Sequence, residues 1–272
     1  MEKVFQKQSF AKKVKSMLKV DFRRMAVTPF FYILLAISFA VPILILVMTG
    51  MMEGTTSINP QTGLPSQPMQ GFDYVWQMLG AVSSSGADAS AGMSMDLVSM
   101  CNINMMLFAC SVLVCLFITG DFKSGYAKNL FTVRANKIDY VVSKTVVCTL
   151  GSALMVLCFV LGMIIGGAGS GTSFALNGVS ASNIVFCVLS KIFLLPTFVS
   201  IFTVMSVVAK QKTWLAVCLS LGTSMLLFMM IPVLSPLDAT ILNAVICLLS
   251  GIIFAVGLGA VSNLILNKTS LV

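Results

Sequence analysis

The sequence contains no histidine. That absence removes the side chain that most often serves as general base near neutral pH, as metal ligand and as haem ligand. Charge is scarce as well. Only 10% of the 272 residues are Asp, Glu, Lys or Arg, against about a quarter in soluble domains, while 58% are hydrophobic and the mean hydropathy is +1.00. A chain this apolar is an integral membrane protein. Its eight cysteines (Cys101, Cys110, Cys115, Cys148, Cys158, Cys187, Cys218, Cys247) form no C-x-x-C pair and nearly all lie within apolar runs. There cysteine behaves as a small buried hydrophobe, so metal, redox and disulfide roles are not indicated. No G-x-x-x-x-G-K-[ST] phosphate loop is present, so the chain does not bind ATP in that fashion. With no G-x-S-x-G elbow and no acid pair inside a span, a membrane-embedded enzyme would lack its acid and base groups.

What charge there is has a pattern. The net charge is +8, yet the basic residues cluster beside apolar spans, which is a membrane-topology signal and not a nucleic-acid-binding face. Residues 1–29 carry eight basic side chains. On a helical wheel Phe10, Val14, Met17, Leu18, Phe22 and Met25 gather on one side, with Lys12, Lys13, Lys15, Lys19, Arg23 and Arg24 opposite. This predicts a helix lying in the inner headgroup layer, lysines toward anionic lipid, ending at Thr28-Pro29. From residue 30 to 272 the chain reads as one transmembrane domain. Six spans are expected: Phe30–Met52 with Pro42 inside it, Leu97–Thr119, Tyr140–Gly166, Asn183–Ala209, Thr213–Ile231 and Ala239–Leu266, the last long enough to begin as a re-entrant turn. Gly162 and Gly166 are spaced for close helix approach.

Residues 53–96 hold four acids (Glu53, Asp73, Asp88, Asp96) and no base, which places this loop outside. Within it Phe72, Val75, Trp76, Leu79 and Val82 predict a short helix on the outer membrane surface. The stretch 120–144, GDFKSGYAKNLFTVRANKIDYVVSK, is the only long basic passage between spans and belongs inside. If helical, it sets Phe122, Tyr126 and Leu130 in one apolar stripe suited to docking a soluble partner. Asn102 and Asn104 in the second span and Lys191 in the fourth are polar groups within hydrocarbon. They are candidates for a translocation path or a subunit seam, although Lys191 could also snorkel toward outer acids. Both chain ends then lie inside.

The basic amphipathic N-terminus, six spans, long outer loop and basic inner loop together resemble the permease subunits of type-2 ABC exporters, the ABC-2 family. The most particular match is local. Asp121, Gly125, Lys128, Arg134 and Lys144 fill that family's pattern of an acid, a glycine, a basic helix and a lysine opening the third span. GDFKSGYAKNLF followed by DYVVSK is similar to versions found in Gram-positive bacterial permeases. Tyr126 stands where threonine is usual, and the proline common before the Arg position is missing.

The resemblance implies that Asp121, Phe122, Gly125, Tyr126, Lys128, Leu130 and Arg134 form a coupling helix seated in a separate ATPase subunit, which would carry the ATP and Mg. It implies a homodimer or a heterodimer with a second six-span permease, a bacterial plasma-membrane location, and export of an amphiphilic substrate such as a peptide antibiotic, drug or lipid-like molecule. The chain itself is expected to bind no cofactor. A stand-alone secondary transporter or channel is the alternative, opposed by acids that all fall in loops or at span edges. A non-transporting sensory subunit would share the same architecture.

Overall fold

The computed structural model describes residues 10–52, 72–80, 102–133, 137–176, 178–228 and 230–268. Among them there is no β-strand, only an isolated bridge between Tyr74 and Ser173. Five helices are long and apolar enough to cross a bilayer. The chain is therefore a multi-pass α-helical membrane protein. Arg134, residues 1–9 and most of the outer loop 53–96 lie outside the described residues.

Helix α1 (Phe10–Val27) is followed almost without interruption by α2 (Pro29–Met52). Thr28 joins them, its Oγ1 donating to the Arg24 carbonyl at 2.7 Å. Pro29 opens α2 because the first helical position needs no N–H donor. Met17, Asp21 and Met25 recur every four residues and form the buried face of α1, while Phe10 and Phe22 remain exposed. The apolar side of α1 is thus divided between the protein and its surroundings.

A 3₁₀ turn at Val75–Leu79 replaces the surface helix expected there. It is tucked inward: Val75, Met78 and Leu79 are buried, the Val75 N–H donates to the Ser173 carbonyl at 3.0 Å, and Trp76 Nε1 donates to the Phe174 carbonyl at 3.3 Å. The second span starts with another 3₁₀ turn, Ile103–Met105, and continues as α3 (Met106–Lys123). It runs four residues past Thr119, so Gly120 to Lys123 belong to the span and not to a loop. Gly125 stops it by taking φ +74, a left-handed conformation that glycine adopts without a Cβ penalty.

A short helix α4 (Tyr126–Val133) leads to α5 (Ile138–Ser170), whose 33 residues span about 50 Å at 1.5 Å per residue. Then come α6 (Ala181–Ala209), α7 (Thr213–Phe228), α8 (Ile231–Leu234) and α9 (Ile241–Lys268). The last of these is one continuous helix with no re-entrant start. Helix α7 has 16 residues, fewer than the ~20 that a perpendicular crossing needs. Pro232 lacks the N–H that would have bonded the Phe228 carbonyl, and the helix breaks there.

Glycines set the closest helix contacts. A Cβ on Gly162 would overlap the Phe39 carbonyl oxygen and fall 2.8 Å from Pro42 Cγ, and one on Gly166 would fall 2.8 Å from Ile43 Cα. The Gly162/Gly166 pair therefore packs α5 against α2 within this chain. Gly251 on α9 similarly faces the Phe193 carbonyl oxygen of α6, 2.6 Å from where its Cβ would stand. Helix α7 is held by polar contacts, with Cys115 Sγ of α3 donating to Ser220 Oγ at 3.0 Å and Ser206 Oγ of α6 donating to that sulfur at 3.4 Å.

Candidate functional site

Asp21 is the fourth residue after Met17 and the fourth before Met25, so the buried stripe of α1 carries a carboxylate in its middle. Burying it without a counter-ion would be prohibitive. Its partner comes from α5: Lys144 Nζ lies 2.8 Å from Asp21 Oδ1, and Ser143 Oγ donates to Asp21 Oδ2 at 2.6 Å. The same ammonium lies 2.7 Å from Asp121 Oδ2 at the end of α3. Arg24, one turn along α1, closes the group with Nη2 2.6 Å from Asp121 Oδ1, and the Tyr140 hydroxyl donates to Asp121 Oδ2 at 3.1 Å. Two acids and two bases sum to zero charge and tie together α1, α3 and α5. Asp21, Asp121 and Lys144 have no solvent exposure at all.

Aromatic rings surround these charges and link them to α4. The Arg24 guanidinium sits 4.0 Å from the Tyr126 ring centroid, and Lys144 Nζ sits 4.0 Å from that of Phe117. Tyr140 also makes T-shaped contacts with Phe131, at 5.3 Å between centroids, and Phe122, at 6.3 Å. A cation over a ring face inside a protein contributes up to about 2 kcal/mol. Burial works against the charge on Arg24, but the adjacent Asp121 carboxylate more than compensates and raises its pKa above the ordinary guanidinium value. Arg24 is charged at any pH the protein meets.

The residues expected to dock a partner divide into two groups. Asp121 and Phe122 are buried, on α3 and not on the short helix, because the turn at Ser124–Gly125 separates them from Tyr126. The single stripe Phe122–Tyr126–Leu130 is therefore broken between two helices. Tyr126 and Leu130 are half-buried and packed on the core. What α4 and the preceding turn leave exposed is Lys123, Ser124, Lys128, Asn129 and Thr132. In α1, Lys12, Lys19 and Arg23 are exposed, Lys13, Val14 and Leu18 are half-buried, and Arg24 turns inward, away from the lysine face on which its wheel position placed it. Sequence reasoning missed Asp21, Ser143 and Tyr140 as site residues. The signal for Asp21 was its spacing from two methionines of the apolar side.

A second polar site occupies the other end of α3. Asn102 caps the 3₁₀ turn, its side chain accepting from the Asn104 N–H at 2.9 Å, so the two asparagines sit at the start of the helix, in keeping with a place in the first half of the span. Lys191 Nζ donates to Asn104 Oδ1 at 2.9 Å, to Ser235 Oγ at 3.0 Å and to the Ser235 carbonyl at 3.3 Å. This ammonium is retained inside, 6% exposed, and fastens the third turn of α6 to the 3₁₀ turn before α3 and to Ser235 just after α8. A cavity of about 30 Å³ beside it is lined by Asn104, Leu107, Val156, Leu195, Phe198 and neighbouring apolar residues. From Asn104 to Asp121 is 17 residues, about 25 Å of helix. The two sites thus stand near opposite faces of the bundle.

No family model, curated protein or solved structure matches this chain.

Proposed function

We propose that the chain is the permease subunit of an ABC exporter, driven by a separate ATPase that meets it at α4. The reading rests on one observation above the others: Arg24 touches both the short helix, through Tyr126, and the buried end of α3, through Asp121. A displacement of α4 of an ångström or two would have to rearrange Arg24, and with it the pairing that joins α1, α3 and α5. Packed, ion-paired junctions of this kind move between discrete arrangements, as a coupling element requires.

Six spans with both ends inside follow if α7 and α8 together make the fifth crossing. Parallel packing supports the alternation. Cys115 and Ser206 lie at the same level of α3 and α6 as do Asn104 and Lys191, so spans two and four run in the same sense. Residues 39–43 of α2 likewise ascend beside residues 162–166 of α5. The exposed set Lys123, Lys128, Asn129 and Thr132 is the docking face in this reading, in place of Tyr126 and Leu130. ATP and Mg would sit on the partner, two six-span units of the same or similar kind would enclose the path, and the setting would be a bacterial plasma membrane.

The test is ATP-dependent flux of a fluorescent amphiphile in vesicles holding the chain and its ATPase. Lys128→Glu should abolish cross-linking between a cysteine at position 132 and the ATPase, with membrane insertion unchanged. Flux without ATP, or unaltered cross-linking, would refute the assignment.

One observation favours the secondary-transporter reading. Asp21 and Asp121 are carboxylates buried against an amine, a constellation that proton-coupled carriers use. Flux that follows a proton gradient and ignores ATP would select it.

A further inference from the structure

A groove of about 470 Å³ opens between α1, α2 and α3, directly against the ion cluster. Its polar end is made by Arg24, Thr28, Asp121 and Ser124, and the rest is apolar. We propose that it binds an anionic phospholipid, the phosphate at Arg24 and an acyl chain along Phe30, Phe31, Leu113, Leu116 and Phe117.

Three observations support this occupant. The first is depth. The exposed face of α1 carries Lys12, Lys15, Lys19 and Arg23 and cannot enter hydrocarbon, whereas α2 is apolar from its first turn. Thr28 therefore marks the boundary between headgroups and acyl chains, and the groove straddles it. The second is charge. Asp121 is already held by Arg24 at 2.6 Å, Lys144 at 2.7 Å and the Tyr140 hydroxyl at 3.1 Å, so its negative charge is spent within the protein. Arg24 is not saturated: Nη1, itself buried, has no hydrogen-bond acceptor among the described residues and stands 4.0 Å from Asp21 Oδ1, while a third of the side chain is exposed. Arg23 and Lys123, exposed beside groove residues in sequence, add positive charge. The third is shape. A volume of this size lined mostly by aromatic and aliphatic side chains, with a few polar groups at one end, suits an amphiphile and exceeds what a free phosphate needs. Phosphate accepts charge-assisted hydrogen bonds from guanidinium in the same fork geometry as a carboxylate does. A bound lipid and Asp121 would therefore share one guanidinium, and lipid composition would set how firmly α1 is held to α3.

Gly120 provides the decisive variant. It lines the groove, and a Cβ placed there meets nothing within 4 Å, so Gly120→Leu is expected to enter the groove with no clash at its Cβ. Native mass spectrometry on the full chain in detergent, titrated with phosphatidylglycerol, phosphatidylcholine or inorganic phosphate, reads occupancy directly. The wild type is expected to retain one phosphatidylglycerol about tenfold more strongly than phosphatidylcholine, and millimolar phosphate should not displace it. Gly120→Leu should lose that lipid with an unchanged melting temperature, while Gly222→Leu on α7, where an added Cβ also meets nothing within 4 Å, should keep it. Arg24→Gln should bring the two lipids to equal affinity. Equal retention by Gly120→Leu and wild type, no preference for phosphatidylglycerol, or displacement by free phosphate would each overturn the proposal.

Discussion

Lys144→Met is the substitution that most directly tests the buried cluster. Methionine keeps the length and most of the volume of the side chain but removes the charge that lies 2.8 Å from Asp21 and 2.7 Å from Asp121. At such distances and an effective dielectric of about 20, each contact carries a gross attraction of about 6 kcal/mol, offset by the cost of desolvating the ions. After the substitution Asp121 retains Arg24 and Tyr140, but Asp21 is left with the Ser143 hydroxyl and a guanidinium nitrogen 4.0 Å away. The sum of the four charges changes from zero to one negative. Removing one partner of a buried pair costs about 3–5 kcal/mol, which for a chain of this size lowers the melting temperature by about 6–20 °C. Asp21→Asn in the Lys144→Met background restores neutrality and should recover a large part of the loss, a coupling of about 2 kcal/mol or more in a double-mutant cycle. The assay is a thermal melt in detergent followed by helical circular dichroism. A single variant melting within about 2 °C of wild type, or a double variant no better than the single, would mean that the cluster does not hold the three helices together.

Three other outcomes follow from the packing. Gly162→Leu should destabilise the chain by about 1–3 kcal/mol because its Cβ collides with the Phe39 backbone, whereas Gly169→Leu, where an added Cβ meets nothing within 4 Å, should be near neutral in the same melt. Gly125→Ala should cost about 1–2 kcal/mol purely through its φ of +74, since a Cβ there meets no atom within 4 Å; Gly125→Asn, which tolerates that conformation, should cost less. Lys191→Met should leave Asn104 Oδ1 and Ser235 without their donor, at about 1–3 kcal/mol for each stranded group; unchanged stability together with unchanged flux would remove Lys191 from consideration as a functional residue.

The membrane-spanning helices are legible in the sequence because uninterrupted apolar runs leave little alternative, and α1 is legible because its charges and apolar residues separate by angle. The cluster is not, and the reason is distance along the chain. Asp21 and Lys144 are 123 residues apart, and nothing local to either signals the other. Asp121 reads as a loop residue because it sits in the first basic stretch after an apolar span, but the helix runs on through it to Lys123 and only Gly125 ends it. Charge density marks where a span meets water less sharply than backbone conformation does. Lys191 stands out in the sequence, whereas its acceptor Ser235 does not, since a serine near a proline looks like any turn. The Gly162/Gly166 spacing is visible, but only the structure assigns it to a contact inside one chain rather than between two.

The outward lysines of α1 and its inward Asp21, paired with Lys144, respond differently to ionic strength. Counter-ions in solution weaken the hold of an exposed lysine on anionic headgroups over roughly 8–10 Å. They cannot reach carboxylates and an amine that no water touches. In concentrated salt α1 would let go of the lipid surface and stay clamped to its neighbours, so washing a membrane with brine should leave this helix on the protein even where it no longer rests on the bilayer.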